Sequence, residues 1–430
     1  MAHDIRTIDL LAAGAFDQAL AALYPNRDTA GCRARYIQAA QQFAALFGKE
    51  PVVLISAPGR AEIGGNHTDH QRGRVLAAAV DLDVLCVAAP NGQGVIRVCS
   101  EGHPPAEVTL DDLRPQAVEQ GHSAALVRGV AEWFRLRGHA VGGFDAYTVS
   151  EVPGGSGLSS SAAFEVAVGN LLAALYGGDV TPADIALAGQ YAENRHFGKP
   201  CGLMDQMVSS VGGLVQIDFS QPEAPDVRPV PLTALSGLGL CITNTGGSHA
   251  DLTPAYAAIP EEMGRVAALF GASTLREVPK GDFYQALPRV RAQAGDRAAL
   301  RAMHFFADNA LVARQAEALS QGDTAGFLDM VVRSGRSSLA YLQNVFDSSR
   351  PREQGLCLAL AVSERLLDGR GAWRVHGGGF AGTIEAFVPD ALLPAYRAEM
   401  DALFGPGACR TLPLRAAGGV RIRPRQNQTI

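Results

Sequence analysis

The chain has 430 residues and a formal net charge of −6, and 47% of its residues are hydrophobic against 19% charged. This balance is typical of a folded globular protein and argues against disorder. The mildly acidic charge, without a block of basic residues, argues against nucleic acid or an anionic membrane surface as a partner.

The remaining bulk features indicate a reduced, cytoplasmic protein. The N-terminal stretch carries Asp4 and Asp9 and does not read as a signal peptide, and no segment approaches the ~18 apolar residues of a membrane span. The seven cysteines are scattered without a CxxC pair, which argues against a disulfide scaffold or a zinc site.

The first half of the chain is predicted to mix helices and strands. In chain order we expect two amphipathic helices over 8–48, strands at 74–90 and 94–100, a helix at 123–138, a strand at 143–153, a helix within 154–178, a helix at 181–198 capped by Thr181, and a strand at 212–220. Acidic, proline-rich Gln221–Pro231 is interpreted as a connector, with a domain boundary just after it.

The second half is predicted to hold several helices between about 253 and 370, followed by strands at 381–389 and 418–424. Because both halves mix the two element types, the predicted class is α+β. The predicted division is a helical extension over 1–50, one domain over 51–235 and a second over 236–430.

Four segments carry unusual chemistry, and the first is APGRAEIGGNHTDH, Ala57–His70. Its polar side chains follow the apolar stretch PVVLIS, so they emerge at the end of a buried strand. Such a cluster either binds a ligand or forms a salt-bridged loop in which Asp69 pairs with Arg60 or Arg72. His67 and His70 have an HxxH spacing, but no further ligand is evident nearby, so a transition-metal site is not predicted.

The second segment, Val152–Val168, places three glycines and three serines ahead of an apolar helix. Exposed N–H groups at a helix start, together with the helix dipole, favour phosphate. The segment lacks the GK[ST] of a Walker A loop, which excludes a P-loop NTPase. A flexible loop that merely caps a core helix is the structural alternative.

The third segment, Ala192–Gln206, carries Glu193 and Asp205 on either side of a glycine-containing bend. Two carboxylates so placed suit a magnesium ion, which prefers one or two carboxylates plus phosphate oxygens. In the structural alternative Asp205 caps a helix and Glu193 is a solvated charge. The fourth segment, Val375–Val388, runs three glycines into a strand and by itself indicates only a tight turn or a close crossing.

The order of these segments resembles the GHMP kinases, small-molecule kinases that act on galactose, homoserine, mevalonate and phosphomevalonate. Within that group GRAEIGGNHTDHQRG resembles the galactokinase signature, roughly GRVNLIGEHTDYNGG, and TNTGGSHADLTPAY and RAMHFFADNA resemble further galactokinase stretches. The resemblance runs from about residue 51 to the C-terminus. It implies a two-domain fold, ribosomal-S5-domain-2-like then ferredoxin-like, with the active site in the cleft between the domains.

The resemblance implies roles on the sugar side of this cleft. Asp205 matches the catalytic aspartate, and Arg60 matches the arginine beside it. Asp69 and His67 match ligands of sugar hydroxyls, and Tyr256 matches a tyrosine that contacts the sugar.

It also implies an ATP and Mg²⁺ site. Ser160 and Glu193 match the magnesium ligands. The triphosphate-binding loop matches Gly154, Gly155, Ser156, Gly157, Leu158, Ser159, Ser160, Ser161 and Ala162, and the loop that closes the site matches Gly377, Gly378 and Gly379.

Four positions depart from the galactokinase pattern. Asn66 replaces a glutamate, Glu62 an asparagine, His70 a tyrosine and His376 a threonine. The family glutamate contacts the sugar near its primary hydroxyl, and asparagine offers one acceptor and two donors in place of its charge. We therefore expect Asn66 to contact the substrate, either at a neutral hydroxyl or at a changed C6 or C2 substituent.

The expected activity is the ATP-dependent phosphorylation of the C1 hydroxyl of galactose to galactose 1-phosphate. A kinase for N-acetylgalactosamine, galacturonic acid or arabinose is an alternative, and Arg72 or Arg74 offers a charge for an acidic sugar. A non-catalytic sugar sensor is less expected because GLSSSAA and Asp205 are both intact. The HTD cluster argues against homoserine or mevalonate chemistry. A monomer or weak dimer is expected.

Overall fold

The computed structural model describes residues 6–154, 157–199, 201–247 and 252–425. The elements of the first half are α1 (Thr7–Ala12), α2 (Asp17–Leu23), α3 (Thr29–Phe47), β1 (Val53–Gly64), β2 (Arg74–Pro90), β3 (Val95–Ser100), β4 (Ala106–Thr109), α4 (Ser123–Leu136), β5 (Phe144–Ser150), α5 (Ser160–Tyr176), α6 (Pro182–Ala192), α7 (Met204–Val211), β6 (Leu214–Asp218) and β7 (Asp226–Val230). Those of the second half are β8 (Leu238–Asn244), α8 (Thr253–Ala268), α9 (Lys280–Gln285), α10 (Leu287–Ala294), α11 (Asp296–Gln321), α12 (Thr324–Ser337), α13 (Gly355–Leu367), β9 (Ala372–Val375), β10 (Thr383–Pro389), α14 (Leu393–Phe404), β11 (Cys409–Thr411) and β12 (Val420–Ile422).

The described strands form two sheets. The larger runs in the order β12-β1-β2-β5-β3-β4, with β6 beside the first part of β2 and β7 beside β6. Its neighbours are antiparallel except β3 and β5, which are parallel. The smaller sheet is antiparallel, in the order β11-β8-β10-β9.

Strand β1 is buried along its whole length because both faces of the larger sheet are covered. Val53 and Ile55 pack into a core shared with α4 and α5, whereas Leu54 faces a second core with Tyr36 and Phe43 of α3. Alternate side chains point to opposite faces of a strand, so a strand covered on both faces is apolar throughout. This explains why the sequence before Arg60 reads as one hydrophobic run.

The two sheets share one hydrophobic core. Val312 of α11 and Phe327 of α12 pack in the same cluster as Ile55 of the larger sheet and Phe387 of the smaller one. None of the helices in the described part of the chain combines the length and apolar character that a membrane span requires.

The α+β class is confirmed, and two local predictions are wrong. Residues 8–48 form three helices instead of two, because the chain turns at Gly14, whose φ is +75°. The stretch Gln221–Pro231 is not an open connector, since it contains β7, which pairs with β6. Pro229 is tolerated within β7 because this strand lies at a sheet edge and pairs on one side, with β6.

The predicted division at residue 235 falls just before β8, the first strand of the smaller sheet. However, β12 returns to the larger sheet, where Leu54 lies opposite Ile422. The helices of residues 1–50 pack directly on that sheet. The domain division stays a prediction, with these connections as its structural context.

A buried polar network fastens the N-terminal helices and the C-terminal segment to this sheet. The Asp83 carboxylate on β2 accepts hydrogen bonds from Tyr24 and Ser56, and it pairs with Arg35 at 2.7 Å. Arg415, just before β12, donates to Ser56 at 2.7 Å and lies 3.5 Å from Asp83. One carboxylate therefore faces the buried guanidinium of Arg415 and the partly buried guanidinium of Arg35, which also lies 3.4 Å from Glu151.

Asp83→Ala is expected to lower the free energy of unfolding by about 3–5 kcal/mol, because it leaves the buried charge of Arg415 without its carboxylate partner. Urea unfolding followed by circular dichroism measures this. Asp226→Ala is the control, since its partner Arg228 is exposed and the variant should unfold almost like the parent. Equal stability of the Asp83 and Asp226 variants would contradict the role of the network.

Candidate active site

The four chemistry-bearing segments meet at one place, and Arg60 and Asp205 lie at its centre. Arg60 Nε donates to Asp205 Oδ1 at 2.7 Å, and a second guanidinium nitrogen lies 2.7 Å from the same oxygen. Arg60 also donates to the carbonyl of Gly157, and the Ser159 hydroxyl donates to Asp205 Oδ2. The pair thus joins the second half of β1, the start of α7 and the glycine-serine loop.

Local irregularities in the backbone aim these groups. The register between β1 and β2 shifts between Pro58 and Arg60, and such a bulge turns a side chain out of the regular alternation. Arg60 is only 5% exposed. Ser159 has φ +58°, a conformation that is costly for a residue with a Cβ and that is maintained by surrounding contacts.

The surroundings of Asp205 keep it ionised. Burial raises the pKa of its carboxyl, but the charge and hydrogen bonds of Arg60 and the Ser159 hydroxyl outweigh burial and lower the pKa below its ordinary value. Its side chain is still 30% exposed. The acid is therefore both charged and accessible to a ligand in the cleft.

The predicted phosphate loop leads into a helix, as expected. Gly154 lies in a turn, Ser159 is the N-cap residue of α5, and Ser160 and Ser161 form its first turn, followed by buried Ala162. Gly157 and Leu158 lie against Arg60, since the Arg60 N–H donates to the Leu158 carbonyl at 3.1 Å. Gly155 and Ser156 fall outside the described residues.

Glu193 lies beside the start of α5. It opens a π-helical turn, Glu193–Phe197, that follows α6, a feature often found at functional sites. The Ser161 hydroxyl donates to Glu193 Oε1 at 3.2 Å, and Lys199 Nζ donates to the same oxygen at 2.9 Å. Ser161 therefore hydrogen-bonds to this carboxylate at a position one residue beyond the predicted Ser160.

A second buried carboxylate stands behind Glu193. The Gln206 amide donates to Glu193 Oε2 at 2.9 Å and to Glu165 Oε2 at 3.0 Å. Burial and the neighbouring charge of Glu193 raise the pKa of Glu165 well above its ordinary value. Gln206 thus orients Glu193 from the protein side.

The segment Ala57–His70 contacts the glycine loop of Gly377–Gly379. Asn66 Nδ2 donates to the Gly377 carbonyl at 2.7 Å, and His67 Nε2 lies 3.0 Å from the Gly378 carbonyl. The Tyr256 hydroxyl donates to the Gly379 carbonyl at 2.8 Å. Three predicted substrate-binding residues therefore each hold one carbonyl of the predicted site-closing loop.

Asn66 is fully buried, with 0% exposure. Besides its bond to the glycine loop, its amide donates to Glu62 Oε1 at 2.8 Å and its oxygen accepts from Asn344 at 2.8 Å and from Ser338 at 3.3 Å. A sugar hydroxyl can reach Asn66 only by replacing one of these bonds. Its role as a direct substrate ligand stays a prediction.

Three of the four departures from the galactokinase pattern contact one another. The Glu62 carboxylate accepts a hydrogen bond from the Asn66 amide, and the Glu62 backbone N–H donates to His376 Nε2 at 3.2 Å. Burial raises the pKa of Glu62 to about 7, although Arg374 donates to its carboxylate at 2.8 Å and opposes that shift. The carboxylate and the amide have exchanged positions 62 and 66, and both remain in one cluster.

Asp69 lies against the segment that carries Asp205. A Cβ on Gly202 would lie only 1.7 Å from Asp69 Oδ2, so glycine is required for this close approach. His67 and His70 stack with ring centroids 6.0 Å apart. Burial is the main cause that lowers the pKa of His67 to about 3, so its ring is neutral near pH 7.

Helix α11 supports the sugar-side loop from the second half of the chain. Asp308 Oδ2 accepts from the backbone N–H groups of Gly65 and Asn66 at 3.1 and 2.8 Å, and His304 Nε2 lies 2.9 Å from the Asn66 carbonyl. These residues belong to RAMHFFADNA, so that stretch acts through the backbone of the loop.

Sequence reasoning did not single out Lys199, Gln206, Glu165, Asn344 or Arg374. The first three lie inside segments that were singled out, so their polarity at a buried bend or helix start was a usable signal. Asn344 and Arg374 reach the site only through the tertiary fold, at 278 and 312 positions from their partners Asn66 and Glu62.

Comparisons with known proteins agree with this geometry. Residues 125–213 match the GHMP kinases N terminal domain, and residues 41–90 match the galactokinase galactose-binding signature. The chain is therefore similar to GHMP kinases over residues 125–213, and the segment from β1 through β2 is similar to galactokinases.

Solved structures show the same fold. Galactokinase from Lactococcus lactis, complexed with galactose, matches with a TM-score of 0.77 and 22% identity, over 89% of this chain and 98% of that one. A D-glycero-D-manno-heptose 1-phosphate kinase from Bacteriodes thetaiotaomicron matches at 0.59 and 15%, over 87% and 100%. Mevalonate kinase from Methanococcus jannaschii matches at 0.59 and 14%, over 85% and 98%.

The exchange of Glu62 and Asn66 predicts strong energetic coupling. Asn66→Glu alone buries a second carboxylate beside Glu62, and Glu62→Asn alone leaves Arg374 without that partner. The double exchange keeps one carboxylate and one amide. Its loss of stability should therefore be smaller than the sum of the two single losses by about 1–3 kcal/mol. Thermal unfolding of the four proteins measures the coupling. The control double variant combines Asn66→Glu with the distant Asp226→Asn, whose effects on stability should simply add. If the effects of Glu62→Asn and Asn66→Glu also simply add, the two positions are not coupled and the prediction is wrong.

Proposed function

We propose that this kinase transfers the γ-phosphoryl group of ATP to the anomeric C1 hydroxyl of galactose, giving galactose 1-phosphate and ADP. The observation that carries the proposal is the contact of Asp205 with both Arg60 and Ser159. It brings an ionised acid to the start of α5, where helix N–H groups favour phosphate. Phosphoryl transfer needs such positioning and charge compensation more than covalent chemistry.

In the proposed reaction Asp205 accepts the hydrogen bond of the C1 hydroxyl and either takes its proton or orients the oxygen. Arg60 keeps Asp205 charged and stabilises the charge that develops on the transferring phosphoryl group. The N–H groups at the start of α5 bind the phosphates of ATP. Because Arg60 and Ser159 both bond to Asp205 directly, the acceptor and donor sites share one set of contacts.

The residues around Glu193 fit a magnesium ion. Glu193 supplies a carboxylate and the serines at the start of α5 supply hydroxyl groups, which are the oxygen ligands that Mg²⁺ prefers. No group of three or more His, Cys, Asp or Glu suited to hold a metal occurs among the described residues, so phosphate oxygens would complete the coordination. When bound, Mg²⁺ neutralises charge on the β- and γ-phosphates. We propose Glu193 with Ser160 or Ser161 as its protein ligands.

For the sugar we propose Asp69, His67 and Tyr256 as contacts, with Asn66 close behind them. A site built to bond buried hydroxyls rejects analogues that lack them, because its own polar groups are then left unpaired. The saturated hydrogen bonds of Asn66 favour a second candidate, a kinase for a related sugar that differs at C6 or C2. N-acetylgalactosamine, galacturonic acid and arabinose are the sugars to compare with galactose.

The contacts of Asp205 also favour a kinase over a non-catalytic sugar sensor. A sensor has no need of an accessible acid that is kept ionised beside a phosphate-binding loop. ATP binds and is consumed in this proposal, and the protein acts alone or as a weak dimer on a small sugar.

Incubation with ATP, Mg²⁺ and each of these sugars is expected to give a sugar 1-phosphate, identified by ³¹P NMR and mass spectrometry. Asp205→Asn should lower kcat at least about 10³-fold, because the neutral amide does not compensate the positive charge that develops on the proton of the C1 hydroxyl. The affinity for the sugar, measured by calorimetry, should change less than about 3-fold. Normal turnover of Asp205→Asn would remove the acid from its role. ATP and sugar binding without any phosphorylated product would favour the sensor.

Gly202→Ala is expected to raise the KM for the sugar at least about 10-fold, because the new methyl group displaces Asp69 and a lost charged hydrogen bond costs about 1.5–3 kcal/mol. Stability should change little, since the carboxylate can rotate away. Gly264→Ala in α8, where a Cβ meets open space, is the matched control. An unchanged sugar KM in Gly202→Ala would show that Asp69 does not contact the substrate.

A further inference from the structure

Lysine is rare in this chain, and one lysine lies in the cleft. Lys and Arg together number 37, of which only Lys49, Lys199 and Lys280 are lysines. An ammonium group is a compact point charge on a flexible stem, whereas a guanidinium suits fixed, bidentate pairing. A lysine in the cleft of an arginine-rich protein therefore suits a position where the cation must change partners.

Lys199 reaches a buried carboxylate from the solvent side. Its Nζ lies 2.9 Å from Glu193 Oε1, and the side chains of Lys199 and Glu193 are 61% and 3% exposed. The Lys199 backbone N–H donates to the Glu193 carbonyl at 3.1 Å, which fixes the base of the side chain. Among the described residues its tip pairs with Glu193, and an ion pair with one solvent-exposed member contributes less stability than a fully buried one.

Lys199 shares its Glu193 oxygen with a serine of the phosphate loop. Ser161 of the first turn of α5 donates to the same Glu193 Oε1, while Gln206 holds the other oxygen from the protein side. The ammonium charge also acts on Asp205, where it helps to lower the pKa. Lys199 therefore lies between the carboxylate, the catalytic acid and the start of α5.

We propose that Lys199 alternates between two partners: it neutralises Glu193 in the nucleotide-free enzyme and binds the phosphates of ATP when a divalent cation takes its place at Glu193. The proposal rests on the proposed function only for ATP as the substrate. A divalent cation carries twice the charge of an ammonium and so competes with it at a carboxylate, and phosphate oxygens beside Ser159–Ser161 offer the released ammonium an anionic partner in the same cleft. Lys199 is then a nucleotide-contacting residue of the reaction.

An ATP acyl-phosphate probe tests the contact with phosphate directly. The unprotonated amine of a nearby lysine attacks the acyl carbon, the carbon–oxygen bond to the terminal phosphate breaks, ATP leaves and an amide remains, with the proton released to water. With three lysines, peptide mass spectrometry gives a complete comparison within one protein. Lys49 pairs with Asp145 at 2.8 Å and Lys280 lies 6.0 Å from the Tyr284 ring, so they are internal controls.

We expect Lys199 to be acylated at least tenfold more than Lys49 and Lys280, and excess ATP to suppress this labelling. Equal labelling of the three lysines, or labelling of Lys199 that excess ATP does not suppress, would overturn the contact with ATP.

Lys199→Met tests the competition at Glu193. Mn²⁺ binding to the nucleotide-free protein, measured by electron paramagnetic resonance, should become several-fold tighter because no ammonium opposes the cation. The KM for ATP should rise about tenfold while the KM for the sugar stays within about twofold, and Lys199→Arg should recover part of the ATP affinity. Lys280→Met is the matched control and should leave all three quantities unchanged.

Unchanged or weaker Mn²⁺ binding in Lys199→Met would overturn the alternation, as would an unchanged KM for ATP. The labelling and Mn²⁺ measurements use no sugar. If Lys199 is labelled and Mn²⁺ binds more tightly but no sugar is phosphorylated, the proposed function fails and this inference stands. If a sugar is phosphorylated but Lys199 is not labelled and Mn²⁺ does not bind more tightly to Lys199→Met, this inference fails and the proposed function stands.

Discussion

The ion pair between Arg60 and Asp205 is the contact on which the arrangement of the cleft depends. Burial alone would favour a neutral carboxyl at position 205, and the guanidinium reverses that preference. The same guanidinium bonds to the Gly157 carbonyl, and Ser159 bonds to the acid. One charge pair therefore connects β1, the phosphate loop and α7, and the loss of either charge leaves the other uncompensated.

The sugar-side wall is also a joint between the two halves of the chain. Asn66, His67 and Tyr256 hold the carbonyls of consecutive glycines, and α11 holds the backbone beneath Asn66. The side chains proposed to bind the sugar thus also bond to the protein itself. Under the proposed function, a sugar that bonds to them would compete with the carbonyls of Gly377–Gly379.

Arg60 pairs with Asp205 and does not pair with Glu193, the second carboxylate of the cleft. Glu193 is buried beside Glu165, whose raised pKa favours the neutral acid, and the amide of Gln206 donates to both. The exposed side chain of Lys199 compensates Glu193 from the solvent side. Weak, exchangeable compensation at a buried carboxylate is what a site for a transient cation requires, since a permanent guanidinium partner would have to be displaced at greater cost.

The sequence by itself determined the α+β class, the four chemistry-bearing segments, their order and the residue types that phosphate, magnesium and hydroxyl groups need. These follow from local rules: a buried strand is apolar, a helix start exposes N–H groups, and a close approach requires glycine. It did not reveal β7, the return of β12 to the larger sheet, or the Ser161 bond to Glu193. Only the tertiary structure decided that Glu62 and Asn66 share one buried cluster with Arg374 and that Lys199 reaches Glu193. The reason is physical: burial, saturation of hydrogen bonds and charge compensation depend on partners brought together by packing, and no local pattern records them.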